Sequence, residues 1–195
     1  MPLFPGIFAS AISGHLTPAD AGSYYPLGEF TLSAAQANVE FTNIPQTYTH
    51  LQIRALAQTS RGTYGVDSLR FQFNGDTAGN YSWHHLRGDG STPESAAGTS
   101  TSYMEAQRIL GTTTGGSYGG LIIDILDYRN TDKYRTTRTI GGVDVNGTVG
   151  GIGGAAVFAS GNWRNDADPI TSIKLYGDAA NFTANTTFAL YGVNA

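Results

Sequence analysis

Two stretches decide the fold: THLQIRALA at residues 49–57 and DSLRFQFNG at residues 67–75. In the first, Leu51, Ile53, Ala55 and Ala57 fall on one side of an extended chain, with His50, Gln52 and Arg54 on the other. In the second, Leu69, Phe71 and Phe73 alternate with Arg70 and Gln72. A period of two marks a half-buried strand, because successive side chains leave opposite faces of the backbone. Asn74-Gly75-Asp76 follows at once, and Asn-Gly is the pair that tight hairpin turns favour.

Working outward, further strands are expected over 29–33, 38–44, 80–87, 103–110, 117–127, 134–141, 152–160, 170–176 and 186–193, with a short helix as the alternative for 103–110. GDGSTPESAAGTSTS, YRNTD, VNGTVGG, NWRNDADP and GDAANFTAN lie between them, rich in turn-forming residues, and are expected as loops. Strands punctuated this often predict an all-β protein: an antiparallel two-sheet β-sandwich, jelly-roll-like, with an N-terminal extended arm. Residues 1–27 form the arm and linker, HLTPADAGSYYP (15–26) being the linker, and residues 28–195 form the sandwich domain. The arm, MPLFPGIFASAISGHL, is apolar but opens without Lys or Arg and is interrupted by Pro2 and Pro5, so it does not match a secretory signal. It packs either on its own core or, through Leu3, Phe4, Ile7, Phe8 and Ile12, on another subunit.

Composition narrows the function. Of 195 residues 13% are charged, against roughly 25% in soluble domains, and the net charge is −4. That balance argues against nucleic acid as a partner, which calls for a basic face. No stretch approaches the ~20 apolar residues of a membrane helix. Cysteine is absent, which excludes disulfides, thiolate metal sites and a cysteine nucleophile.

The motifs with catalytic spelling are weak. Gly115-Gly116-Ser117-Tyr118-Gly119 matches a nucleophile elbow, but the LIIDILDY that follows reads as a strand, and that elbow needs a helix. His84 and His85 are adjacent on a strand, so they face opposite ways and cannot readily share a metal. Asp124 and Asp127, three apart, identify no facing carboxylate pair. Asp76 and the Asn165–Asp168 loop are oxygen-rich, yet no calcium-loop pattern supports them, and Arg87-Gly88-Asp89 sits among ordinary turn formers. We therefore expect no enzyme activity and no cofactor. Trp83 and Trp163 lie near strand ends, where aromatics close a core, meet another subunit or stack on sugar; with Asp166 and Asp168 they are the candidate glycan contacts.

One likeness is more specific. The runs FTLSAAQANVEFTNIPQTYTHLQIRALAQT, FNGDTAGNYSWHHLRGDG and LIIDILDYRNTDKYRTTRTIGG, with the opening GIFASAISGHL and the closing FALYGVN, resemble a group of small tailed-bacteriophage virion proteins. The resemblance covers most of the chain from about residue 6, and IPxTYTHLQIR, FNGD…NY and F-x-LYG carry it. It implies a β-sandwich structural protein on the particle surface, a head decoration or tail component without catalytic residues. The resulting expectation is a capsid decoration (cement) subunit, a homotrimer, docked on capsid or tail subunits through its arm. The alternative is a tail-tip or tail-fibre adhesin that binds host glycan. A glycan depolymerase would need facing carboxylates that the sequence does not reveal.

Overall fold

The computed structural model describes residues 23–112, 115–149 and 152–194. Their regular structure is twelve β-strands, with no α-helix among the described residues. The strands are β1 (Tyr24–Thr31), β2 (Asn38–Phe41), β3 (His50–Thr59), β4 (Val66–Phe73), β5 (Tyr81–Gly88) and β6 (Pro93–Thr101), then β7 (Met104–Gly111), β8 (Gly119–Leu126), β9 (Arg135–Val149), β10 (Ile152–Trp163), β11 (Ile173–Gly177) and β12 (Thr187–Val193). The inward half of the alternation holds, whereas on the opposite side Gln52 and Gln72 are also buried, hydrogen-bonded to Asp124 and to the Ser102 carbonyl. Leu51, Ile53, Leu69, Phe71 and Phe73 are all fully buried, while Arg54 is exposed. Each large apolar side chain so buried contributes about 1.5–3 kcal/mol relative to an exposed one.

Together the strands make one large, open, mixed sheet. Eight of them pair antiparallel in the order β1-β12-β3-β8-β9-β10-β5-β6. Four more pair antiparallel as β2-β11-β4-β7. The two runs meet where β3 and β7 lie parallel for two residue pairs, Gln58 with Leu110 and Thr59 with Gly111. One hydrophobic cluster draws on both runs: Leu51, Ile123 and Phe188 from the first, Phe71, Met104 and Ile173 from the second.

Several boundaries differ from expectation. β1 starts at Tyr24, so the last three residues expected in the linker are strand; Tyr24 and Pro26 pair with Val193 and Tyr191, and the Tyr25 ring lies 5.3 Å from that of Tyr48. β6 occupies a segment expected as loop. PESAAGTST has no apolar period to betray a strand; pairing with β5 makes it one, and nearly every position stays exposed. β9 runs through 145–149, also expected as loop, because β10 turns back along it. The 103–110 segment is a strand, not a helix. Asn74 (φ 52°) and Gly75 (φ 67°) form the expected turn, closed by Asp76 N–H donating to the Phe73 carbonyl at 2.9 Å. It is a corner and not a hairpin, because β4 pairs with β7 and β11 while β5 pairs with β10 and β6. The Asn74 side chain holds that corner, its amide donating to the Pro169 carbonyl and its oxygen accepting from Thr171 and Ser172 N–H. Leu3, Phe4, Ile7, Phe8 and Ile12 of the arm lie outside the described residues.

Candidate interaction surface

The eight-strand run has two faces, and parity assigns each residue to one of them. In LIIDIL, Leu121, Ile123 and Ile125 turn inward, so Ile122, Asp124 and Leu126 must turn outward. Strand register then lines the outward residues into rows. One row reads Arg54, Ile122, Ile140, Phe158, Leu86 across β3, β8, β9, β10 and β5, each directly opposite the next. The four apolar members of that row are 43%, 59%, 44% and 61% exposed, and Leu56 beside it is 55% exposed. At roughly 200 Å² per large side chain, these five leave about 500 Å² of apolar surface in water. That is near the top of the ~300–600 Å² range of the largest patch on a typical monomer, a size that often marks a functional surface.

The neighbouring rows have different chemistry. On one side, Leu56 is followed by Gly120, Gly142, Ala156 and Gly88, so the apolar ridge borders a trough of small residues. On the other side run Gln52, Asp124, Arg138, Ser160 and His84. There Asp124 accepts from Gln52 Nε2 at 2.8 Å and from Arg138 at 2.9 and 3.1 Å. Arg54 ends the ridge, its guanidinium 5.2 and 5.1 Å from the ring centres of Tyr24 and Tyr191. Two shallow hollows follow the ridge. One of about 580 Å³ lies over Arg54, Leu56, Gly120, Ile122 and Ile140; another of about 410 Å³ lies beside His84, Leu86, Phe158 and Ser160.

The residues singled out from sequence do not assemble into one site. Trp163 is fully buried, 5.5 Å from Phe73 and stacked on Tyr81 at 6.4 Å, with the Arg135 guanidinium 4.6 Å from its ring centre. It therefore presents no face to a sugar, which removes it from the glycan-contact set. Trp83 is half-buried, stacked on His85 at 5.7 Å and packed over Gly98. Asp166 and Asp168 are exposed beside Arg135, whose buried guanidinium donates to the Asn130, Lys133 and Asp168 carbonyls. His84 faces solvent and His85 is buried; burial, reinforced by Arg87, pushes the His85 pKa down and favours its neutral form.

The remaining motifs serve the fold. Ser117 leads straight into β8, and Gln58 Nε2 donates to the Gly115 and Ser117 carbonyls at 2.6 and 2.8 Å. Asp124 pairs with Arg138, whereas Asp127 pairs with Lys133 and donates its N–H to His50 Nδ1, so they share no cleft. Arg87 pairs with Glu94 across the β5–β6 hairpin. Asp89 caps its turn by accepting from Thr92 and Ser91 N–H, and those bonds hold its pKa at about 2. Among the described residues no three His, Asp or Glu side chains gather to hold a metal.

No protein-family profile matches the chain. No curated protein matches it either. Among solved structures, a crystal structure of scytalido-glutamic peptidase with a peptide-based transition-state analogue aligns with 85% of this chain and 66% of its own. The identity is 8% and the TM-score 0.26, too distant to carry an argument about fold or activity.

Proposed function

We propose that this chain is a non-enzymatic structural protein of a tailed-bacteriophage particle, a capsid decoration subunit on the particle surface. The observation that carries the assembly role is the exposed apolar ridge of Leu86, Phe158, Ile140 and Ile122, a surface suited to protein contact. The phage assignment rests on the sequence resemblance, whose motifs do folding work here. Leu51 and Ile53 of the IPxTYTHLQIR run are fully buried, Asn74-Gly75 makes the corner, and Phe188 and Leu190 enter the core. We further infer that the four-strand run closes over the eight-strand run as a two-layer, jelly-roll-like sandwich, a reading supported by the two hydrophobic clusters that draw on both. Residues 1–16 form the docking arm. Many copies of a modest contact suffice, since each need supply only a small surplus over its ordering cost.

Gold-labelled antibody on intact particles tests this reading. Label over the head is the expected result, and particles without label refute it. Deleting residues 1–16 is expected to leave a soluble folded sheet that no longer joins the particle; loss of folding would place the arm in the core.

The adhesin alternative gains one observation. A cleft of about 280 Å³ is lined by Arg61, Tyr64, Asp67, Ser68, Arg87 and Arg108. Arg61 stacks on Tyr64 at 4.7 Å and pairs with Asp67, while Arg87 pairs with Glu94. Such a cleft suits an acidic sugar, for which arginine forks and an aromatic face are fitting partners. Label confined to the tail tip, with glycan binding abolished by Arg108→Ala, would establish that reading over decoration.

A further inference from the structure

On the outer face each central strand carries one large and one small residue two positions apart. The pairs are Ile122 with Gly120 on β8, Ile140 with Gly142 on β9, Phe158 with Ala156 on β10, and Leu86 with Gly88 on β5. Register places the four large residues in one row and the four small ones in the next. Ridge and trough therefore have equal length and the same strand order.

We propose that this face binds a second copy of the chain about a twofold axis lying in the interface, along the rows and midway between ridge and trough. This rests on the reading of the face as an assembly surface and names its partner. Rotation about that axis reverses strand direction and keeps strand order, so each strand meets its own copy. Ile122 then enters the space over the partner's Gly120, Ile140 that over the partner's Gly142, and Phe158 and Leu86 likewise. A twofold contact is self-complementary by definition: the patch must fit its own image. This one does so strand by strand, and the twist of each sheet lets two such faces pack nearly aligned.

Area points to the same partner. About 500 Å² of apolar surface from each copy makes an interface of roughly 1,000 Å² or more once the trough is included, the lower bound for a specific association. Of the charges on this face, Asp124 and Arg138 neutralise each other within one copy, and Arg54, at the end of the ridge, is held over the Tyr24 and Tyr191 rings. The twofold replaces the threefold symmetry expected from sequence. A threefold ring needs two different complementary patches, whereas here both halves of the fit lie on one face.

Sedimentation velocity of the full chain across a concentration series tests the proposal. The wild type is expected to be a monomer–dimer equilibrium. Ile140→Asp, at an exposed position where the fold tolerates charge, is expected to weaken the dimer about a hundredfold or more by placing two unpaired carboxylates in a dry interface. Gly120→Ile is the sharper variant. A Cβ at Gly120 meets nothing nearer than Leu56 at 3.8 Å within the monomer, and an isoleucine there would fill the space the partner's Ile122 needs. It is expected to give a folded monomer, and Gly120→Ile with Ile122→Ala is expected to restore the dimer, because large and small have only exchanged places. A wild type that stays monomeric overturns the proposal, as does a dimer indifferent to Ile140→Asp. Failure of the double variant to restore the dimer overturns the axis. A chain that dimerises only after removal of residues 1–22 would make the arm the occupant and also overturn it. The assembly role itself is judged separately by particle labelling, so either idea can fail alone.

Discussion

Replacing Asp76 with alanine probes the corner on which the two strand runs depend. The Asp76 carboxylate accepts from Trp163 Nε1 at 2.7 Å, from Asn80 Nδ2 at 2.9 Å and from Ala78 N–H at 2.9 Å. Trp163 is fully buried, so its N–H has no water to turn to once the carboxylate is gone. A hydrogen bond to a charged group contributes about 1.5–3 kcal/mol, and an orphaned buried donor costs about 1–3 kcal/mol. The two figures overlap, and with the lost turn contacts we expect Asp76→Ala to cost about 3 kcal/mol. For a chain of this size that lowers Tm by roughly 6–12 °C. Urea unfolding followed by far-UV circular dichroism measures the cost, and Trp163→Phe supplies the control. In a Trp163→Phe background there is no indole donor to orphan, so the Asp76→Ala penalty should fall by about 1–2 kcal/mol. Acidity gives a second handle. Burial alone would raise the Asp76 pKa, but hydrogen bonds from Asn80, Trp163 and Ala78 outweigh it and hold the pKa below the usual value of 3.8. The contribution is therefore complete above pH ~4 and lost as pH falls through the lower folded-state value. The gap between wild type and Asp76→Ala should accordingly narrow in acid. A penalty below about 1 kcal/mol, or one unchanged in the Trp163→Phe background, would refute the reasoning.

Three other substitutions probe separate parts of the fold. Phe71→Asp puts an unpaired charge at a fully buried position and should prevent folding, so a soluble variant with native-like circular dichroism would overturn the assigned register. Arg135→Ala leaves the Asn130, Lys133 and Asp168 carbonyls without their donor and removes the cation over Trp163; chemical denaturation should report a loss of about 2–4 kcal/mol. Gly161→Ala would drive a methyl group into Met104 Sδ and the Ser82 carbonyl, and thermal melts should show an overpacking cost of about 1–3 kcal/mol.

What could be read from the chain follows its periodicity. Leu51, Ile53, Phe71 and Phe73 declare an inward face because polar residues separate them, and the structure buries all four. PESAAGTST carries no such pattern; it is a strand only because β5 lies beside it, and no local rule contains that information. The Trp163 environment was equally hidden, since the Asp76 that holds its indole is 87 residues away. The apolar ridge is a subtler case. Leu56, Ile122, Ile140 and Phe158 each stand at the polar parity of their own strand, and a single such residue is unremarkable. The apolar run LII at 121–123 did carry a signal, since consecutive apolar residues on a strand imply that both faces are to be covered. Only the register of five strands turns isolated exceptions into one surface.

The sheet margins bear on what kind of association that surface allows. An open sheet invites strand addition wherever an edge is long, flat and apolar. β2 is only four residues long. β1 contains Pro26, which has no N–H to donate, and its pairing with β12 shifts register between Pro26 and Gly28. β6 begins with Pro93 and presents Glu94, Ser95, Thr99 and Ser100 to solvent. Each edge is thus blunted by a different device, so growth by adding strands is disfavoured. The outer face has no comparable defence, with Asp124 and Arg138 paired in one row and Leu86, Phe158, Ile140 and Ile122 open in the next. A chain built this way is directed toward contact across its face and away from contact along its edges. Such contact closes after one partner has docked, whereas edge pairing would propagate, and that distinction separates a defined assembly from aggregation.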